Sequence, residues 1–229
     1  MKKIYIFDFD GVICNSYYEC FLIAYKVVFK KNLDDFKIFY KKNLNRIFYY
    51  NSFVKKGVDF CKIFFLLKKK NKEKNLNFNI DKKFERKFYL ERQKLKKNKN
   101  FWYKLNPFYK HILTLFKNRR NDDVYIVTFK DYDSIRILLK KNKIKIPKKN
   151  ILCRDNMNNK QDLITKKFKG DYNISFFDDC LENLINLNSK KINKFLVLNK
   201  EKKYVNIKNI LKKNSIKPIK HDHIVQIVE

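Results

Sequence analysis

Lys3-Ile4-Tyr5-Ile6-Phe7-Asp8-Phe9-Asp10-Gly11-Val12 is the stretch that decides the fold. From Lys3 to Phe9 it is apolar on both faces, Ile4 and Ile6 alternating with Tyr5, Phe7 and Phe9. A strand with one wet face would alternate apolar with polar residues, so this one is expected mid-sheet, covered by helices on each side. Asp8 and Asp10 then follow at period two, which points both carboxylates the same way from the strand end. Gly11 supplies a turn without a Cβ penalty, and only 3 glycines occur in the chain. Aspartate also favours strand exits and helix caps, so the pair alone leaves a structural role open.

Outward from that strand the texture changes twice. From about Tyr17 to Lys99 aromatic and aliphatic residues fall three or four apart, as in Phe21, Tyr25, Val28 and Phe29, or Phe84, Phe88 and Leu95. The spacing predicts helices over 15–31, 34–50, 52–70 and 80–99, punctuated by Lys/Asn-rich runs such as Lys68 to Asn77. Pro107 suits the first turn of a helix through His111, Leu115 and Phe116. Strands are expected at Asp123 to Thr128, Asn150 to Cys153, Ile174 to Phe177 and Phe195 to Leu198. Helices alternate with them at Asp131 to Lys143, Gln161 to Phe168 and Leu181 to Asn188, and a helix, strand and helix fill Ile207 to Val228. That rhythm predicts an α/β fold with a doubly wound parallel sheet and a Rossmann-like core, interrupted by an all-helical insertion.

Composition bounds the class. With 229 residues and 45% hydrophobic content the chain can bury a substantial core, so disorder is excluded. Against 23 Asp+Glu stand 55 Lys+Arg, a formal net charge of +32 that attracts polyanions. The lysines are spread along the chain rather than gathered in a stripe, and the over-used residues share A/T-rich codons, so base composition competes with a nucleic-acid surface as the cause. Five cysteines, Cys14, Cys20, Cys61, Cys153 and Cys180, form no CxxC pair, which points to a cytoplasmic or other reducing compartment and to packing roles. No apolar run suits a secretory signal or a membrane span.

Three further segments carry chemistry. Val124-Tyr125-Ile126-Val127-Thr128-Phe129-Lys130 ends an apolar strand in a hydroxyl, which can meet a phosphate oxygen or cap the next helix. Lys160 precedes Gln161-Asp162-Leu163-Ile164 at a helix start, where a solvated face is the plain alternative. Ile174-Ser175-Phe176-Phe177-Asp178-Asp179 feeds two acids off a buried strand. Carboxylates there are costly unless a cation or donors compensate them. Helix capping accounts for one of the two, not for their convergence with Asp8 and Asp10 at strand ends, where open parallel sheets bind ligands. Such an oxygen-rich set suits Mg2+.

DFDGV, VTFK, a lysine and FFDD, in that order, resemble the four motifs of the haloacid dehalogenase superfamily over essentially the whole chain. The resemblance implies a phosphatase-type enzyme with Asp8 as nucleophile and Asp10 as general acid/base. It implies Mg2+ held by Asp8, the Asp10 carbonyl and Asp179, with Asp178 acting through a water. Thr128 and Lys160 would grip the phosphoryl group. It also implies an α/β catalytic core of residues 1–14 and 105–229 with a helical cap of residues 15–104. Asn183 stands where an acid is common in that family, four positions after Asp179, and the proline that often follows the lysine is absent after Lys160.

The implied partner is a small phosphorylated substrate, with no membrane and an oligomeric state the sequence does not give. A phosphomutase of the same family, and a basic nucleic-acid-associated protein, remain as alternatives. Lys55-Lys56-Gly57-Val58-Asp59 is either a loop facing the site or an exposed turn, and Trp102 and Tyr103 either line a hinge or pack. His111, His221 and His223 lie in segments away from the motifs, which suits surface or packing roles.

Overall fold

The computed structural model describes every residue except 1, 56, 70–75, 77, 80, 119, 120, 154–158, 188, 190 and 229. Lys56 and most of the Lys68 to Asn77 run therefore lie outside the described residues. The chain divides into two compact units, one of Met1–Asn15, Pro107–Asn199 and Asn206–Glu229, the other of Ser16–Asn106 and Lys200–Val205.

The first unit holds β1 (Lys2–Phe7), β2 (Val124–Val127), β3 (Ile151–Leu152), β4 (Tyr172–Asp178), β5 (Ile192–Leu198) and β6 (Ile216–Lys220). They form one all-parallel sheet in the order β3-β2-β1-β4-β5-β6. Its helices are α6 (Lys110–Asn118), α7 (Tyr132–Lys141), α8 (Lys160–Lys167), α9 (Leu181–Ile185), α10 (Lys208–Lys213) and α11 (Ile224–Val228). The α/β class and the parallel sheet read from the sequence are thus what the chain forms. From β1 the chain steps outward to β3, then returns past β1 and steps the other way through β4, β5 and β6. The crevice beyond the ends of β1 and β4 is therefore the switch point where such sheets bind ligands.

Register and packing follow from the apolar runs. Phe7 pairs with Phe177 and Phe177 with Phe195 across three strands. Their rings stack with centroids 4.9 and 5.0 Å apart, and Phe116 of α6 meets Phe7 edge-on at 5.3 Å. Such pairs add to the area they bury, so this row fixes β1 against β4. β1 ends at Phe7, two residues earlier than the apolar pattern suggests. Asp8 N makes one more bond, to Phe177 O at 2.9 Å, and the chain then turns, with Ile13 N and Cys14 N both donating to Phe9 O.

In the second unit α1 (Tyr17–Phe29) is buried along most of its length because nearly every residue is apolar, and α2 (Leu33–Asn51), α3 (Asp59–Lys68) and α4 (Lys82–Lys97) pack on it. Two boundaries differ from the spacing-based expectation. The helix expected from residue 52 begins at Asp59, because Ser52 to Val54 close α2 with turns and Lys55 N bonds the Asp59 carboxylate at 3.1 Å. The helix expected over 80–99 breaks at Asn98, whose side chain accepts from Phe101 N and starts α5 (Lys99–Lys104). Gly57 lies against the ring of Phe88, where a Cβ would meet Cε1 at 3.0 Å. All five cysteines are buried and none is in a disulfide. No helix among the described residues is long and apolar enough to cross a membrane.

Candidate active site

The register that pairs Phe7 with Phe177 makes Asp8 and Asp178 neighbours at the switch point. Asp8 is 8% exposed, and Asp178 and Asp179 are buried. Each of the three offers a carboxylate oxygen within 4.8 Å of the others. Lys160, the first residue of α8, is buried with them rather than solvated. Its Nζ lies 2.7 Å from Asp178 Oδ2 and 3.1 Å from Asp8 Oδ2. Asn159 caps the helix by accepting from Asp162 N at 2.7 Å, which fixes where that lysine enters.

Asp178 is well supplied with donors. Its Oδ1 accepts from Cys180 N at 2.8 Å, and its Oδ2 takes Asn183 Nδ2 at 3.0 Å besides Lys160. Asp8 Oδ1 accepts the adjacent Phe9 N–H at 2.7 Å. Burial pushes the Asp8 carboxyl up to about 7, Lys160 opposing and Asp178, Asp179 and Asp10 adding to the rise. Burial likewise raises Asp178, against Lys160. Burial alone would lower Lys160, but Asp178 and Asp8 carry it well above the ordinary lysine value, so it stays charged.

Lys160 thus sits against two of three clustered, buried carboxylates. Three carboxylate oxygens so close together, a donor set made wholly of oxygen, fit a hard divalent cation such as Mg2+. Asp10 stands slightly apart: its side chain is 31% exposed and its Oδ1 lies 2.8 Å from Nζ of Lys130, which is shut off from water. Thr128 is buried at the end of β2, and Lys130 N donates to its Oγ1 at 3.3 Å. Thr128 does not cap α7; Asp131 does, accepting from Ser134 N at 2.9 Å.

Neither a family model nor a curated protein matches the sequence. Solved structures do match. A hydrolase of the haloacid dehalogenase-like family from Streptococcus pneumoniae aligns over 99% of this chain and 97% of its own, with 12% identity and a TM-score of 0.55. A predicted phosphatase from Clostridium acetobutylicum aligns over 100% and 98%, with 15% identity and a TM-score of 0.60. A predicted phosphoglycolate phosphatase from Haemophilus somnus aligns over 100% and 98%, with 14% identity and a TM-score of 0.62. The chain has the haloacid dehalogenase-like fold.

Within that fold Asp8, Lys160, Asp178 and Asp179 come together, and Asp10 and Thr128 flank them with Lys130. Sequence reasoning missed Lys130, which was one lysine among many; its place two residues after a strand-ending threonine was the only signal. Asn183 was noted as a departure, and its role as a donor to Asp178 comes from α9 turning back on β4. The histidines need correction. His221 Nε2 lies 3.3 Å from the carbonyl of Gly11, and His111 lies against His221, so two of the three sit beside the first motif. The cause is the return of β6, parallel to β5, to the same end of the sheet. His223 is exposed, as expected.

Proposed function

We propose that this chain is a phosphatase-type hydrolase that takes a small phosphomonoester and works through an aspartyl-phosphate on Asp8. The observation that carries it is the buried cluster of Asp8, Asp178 and Asp179 around Lys160 at the switch point of the sheet. Three carboxylates gathered in a buried strand-end crevice, with the Asp8 carboxyl pushed up chiefly by burial, suit a site completed by a cation and a phosphate ester.

The Asp8 carboxylate attacks phosphorus and the bond to the ester oxygen breaks. Asp10, in its acid form, gives that oxygen its proton as it leaves. The resulting Asp10 carboxylate then takes a proton from water, whose oxygen attacks the phosphoryl group and frees Asp8. Lys160 lies against Asp8, so a phosphoryl oxygen meeting Asp8 falls within its reach, and Thr128 supplies a second donor. Asp8, the Asp10 carbonyl and Asp179 would hold Mg2+, with Asp178, already engaged by Lys160 and Asn183, acting through a water. The ion would neutralise charge on the phosphoryl group and keep Asp8 ionised. Substrate choice falls to the helical unit acting as a cap.

The experiment is a phosphate-release screen against phosphorylated metabolites with Mg2+, run beside Asp8→Asn and Asp10→Asn. Asp8→Asn is expected at background, and Asp10→Asn lower than wild type by about 10²–10⁴. Equal release by wild type and Asp8→Asn contradicts the mechanism.

A further inference from the structure

We propose that Asn199 and His221 are positioning residues for Asp10, an inference that rests on Asp10 being the acid/base of the proposed reaction. By donating together to the Gly11 carbonyl they fix the turn that aims the Asp10 carboxyl at the leaving oxygen.

Gly11 follows Asp10 with φ at +84°, in the left-handed region that glycine enters freely. That freedom makes the turn loose unless something else holds it. Its N–H closes on Cys14 O at 2.8 Å. Its carbonyl receives Asn199 Nδ2 at 2.8 Å, from the residue after β5, and His221 Nε2 at 3.3 Å, from the residue after β6. A carbonyl only accepts, so both side chains must present an N–H to it.

Their partners enforce that. Tyr109 Oη donates to Asn199 Oδ1 at 3.1 Å, which leaves the amide nitrogen facing Gly11. His111 Nε2 lies 2.6 Å from His221 Nδ1, and the Tyr109 ring lies on the His221 ring with centroids 3.6 Å apart. Burial, with His111 beside it, holds the His221 imidazole down to about 4. It is therefore neutral near neutral pH, with its single proton on Nε2 and Nδ1 accepting from His111. The backbone of Tyr109 is tied to the same turn by a 3.1 Å bond from its N–H to Ile13 O. Asp10 is thus gripped through its carboxylate by Lys130, and the turn that follows it is held at the Gly11 carbonyl by Asn199 and His221.

A group that places a general acid matters in proportion to how much the leaving oxygen needs a proton. Phenyl phosphate and 2,4-dinitrophenyl phosphate present similar rings, but dinitrophenolate departs unprotonated. First-turnover release of phenol and of dinitrophenol, with Mg2+, gives a ratio that is independent of how much protein is folded. Asn199→Ala and His221→Ala are expected to slow phenol release about tenfold or more relative to dinitrophenol release. His221→Gln, which keeps an N–H at similar reach, is expected to retain the wild-type ratio. If the alanine variants leave that ratio unchanged, or His221→Gln depresses it as much as His221→Ala, the inference fails while the phosphatase assignment stands. Wild-type protein that releases neither leaving group sinks both.

Discussion

The ammonium of Lys160 lies 2.7 Å from Oδ2 of Asp178, and both side chains are shut off from water. The same nitrogen serves Asp8 at 3.1 Å, so one cation holds two carboxylates from adjacent strands. Removing it in Lys160→Met takes this cation from both carboxylates. Breaking a buried pair in this way costs about 3–5 kcal/mol. Urea unfolding of the metal-free protein is expected to show that loss, and phosphate release should fall to background. Mg2+ should restore part of the stability and none of the activity. Unchanged stability without metal would mean that Lys160 does not balance the cluster.

Asn183 gives Asp178 a neutral N–H where a carboxylate would give it a like charge. Asn183→Ala is expected to cost about 1.5–3 kcal/mol, the worth of a hydrogen bond to a charged group. Asn183→Asp is expected to be worse without metal, through repulsion, and to gain more from Mg2+ than wild type. Thermal melts of both variants across a Mg2+ titration check this; a smaller Mg2+ response in Asn183→Asp than in wild type contradicts it.

The sheet was legible because β1 is apolar on both faces and β4 runs into Phe176 and Phe177, as covered central strands do. The acids were legible because each pair ends such a strand. What the sequence hid depends on distance along the chain. Lys130 is buried against the Asp10 carboxylate, yet nothing local separates it from the other lysines of so basic a chain, and Lys160 was legible only through its order among the motifs. Asn199 and His221 reach Gly11 because β5 and β6 finish at the same end of the sheet as β1, a fact of topology carrying no motif. The break at Asn98 was missed because helical spacing continues across it, while the side-chain cap that restarts the helix is a local bond.

Asp8 sets the expected pH dependence. Its carboxyl, pushed up to about 7 chiefly by burial, compares with 3.8 in an unfolded chain. Between those values the folded protein holds the extra proton, so the contribution of this group to stability falls as pH rises from about 4 to about 7. A bound cation takes the place of that proton. Mg2+ is therefore expected to raise the melting temperature more at about pH 8 than at about pH 5, and Asp8→Asn to shrink the difference. An equal shift at both pH values would show that cation and proton do not compete at Asp8.

The helical unit has its own buried charge. Glu19 is fully buried, with Oε2 3.2 Å from Arg92 Nη2 and Oε1 accepting from Trp102 Nε1 at 2.8 Å. Trp102 is thus tied into the packed interior of this unit, and as the sole tryptophan its emission reports on that interior alone. Glu19→Ala takes from Arg92 its buried carboxylate and leaves the indole N–H without this acceptor, for an expected loss of about 3–5 kcal/mol and a red-shifted emission. Glu19→Gln keeps an oxygen for the indole while removing the charge, so its emission should stay near wild type although its stability falls. Urea unfolding followed by tryptophan emission separates the two effects. Wild-type stability in Glu19→Ala would mean that Arg92 finds its compensation elsewhere, and the pair would then not be what holds α1 to α4.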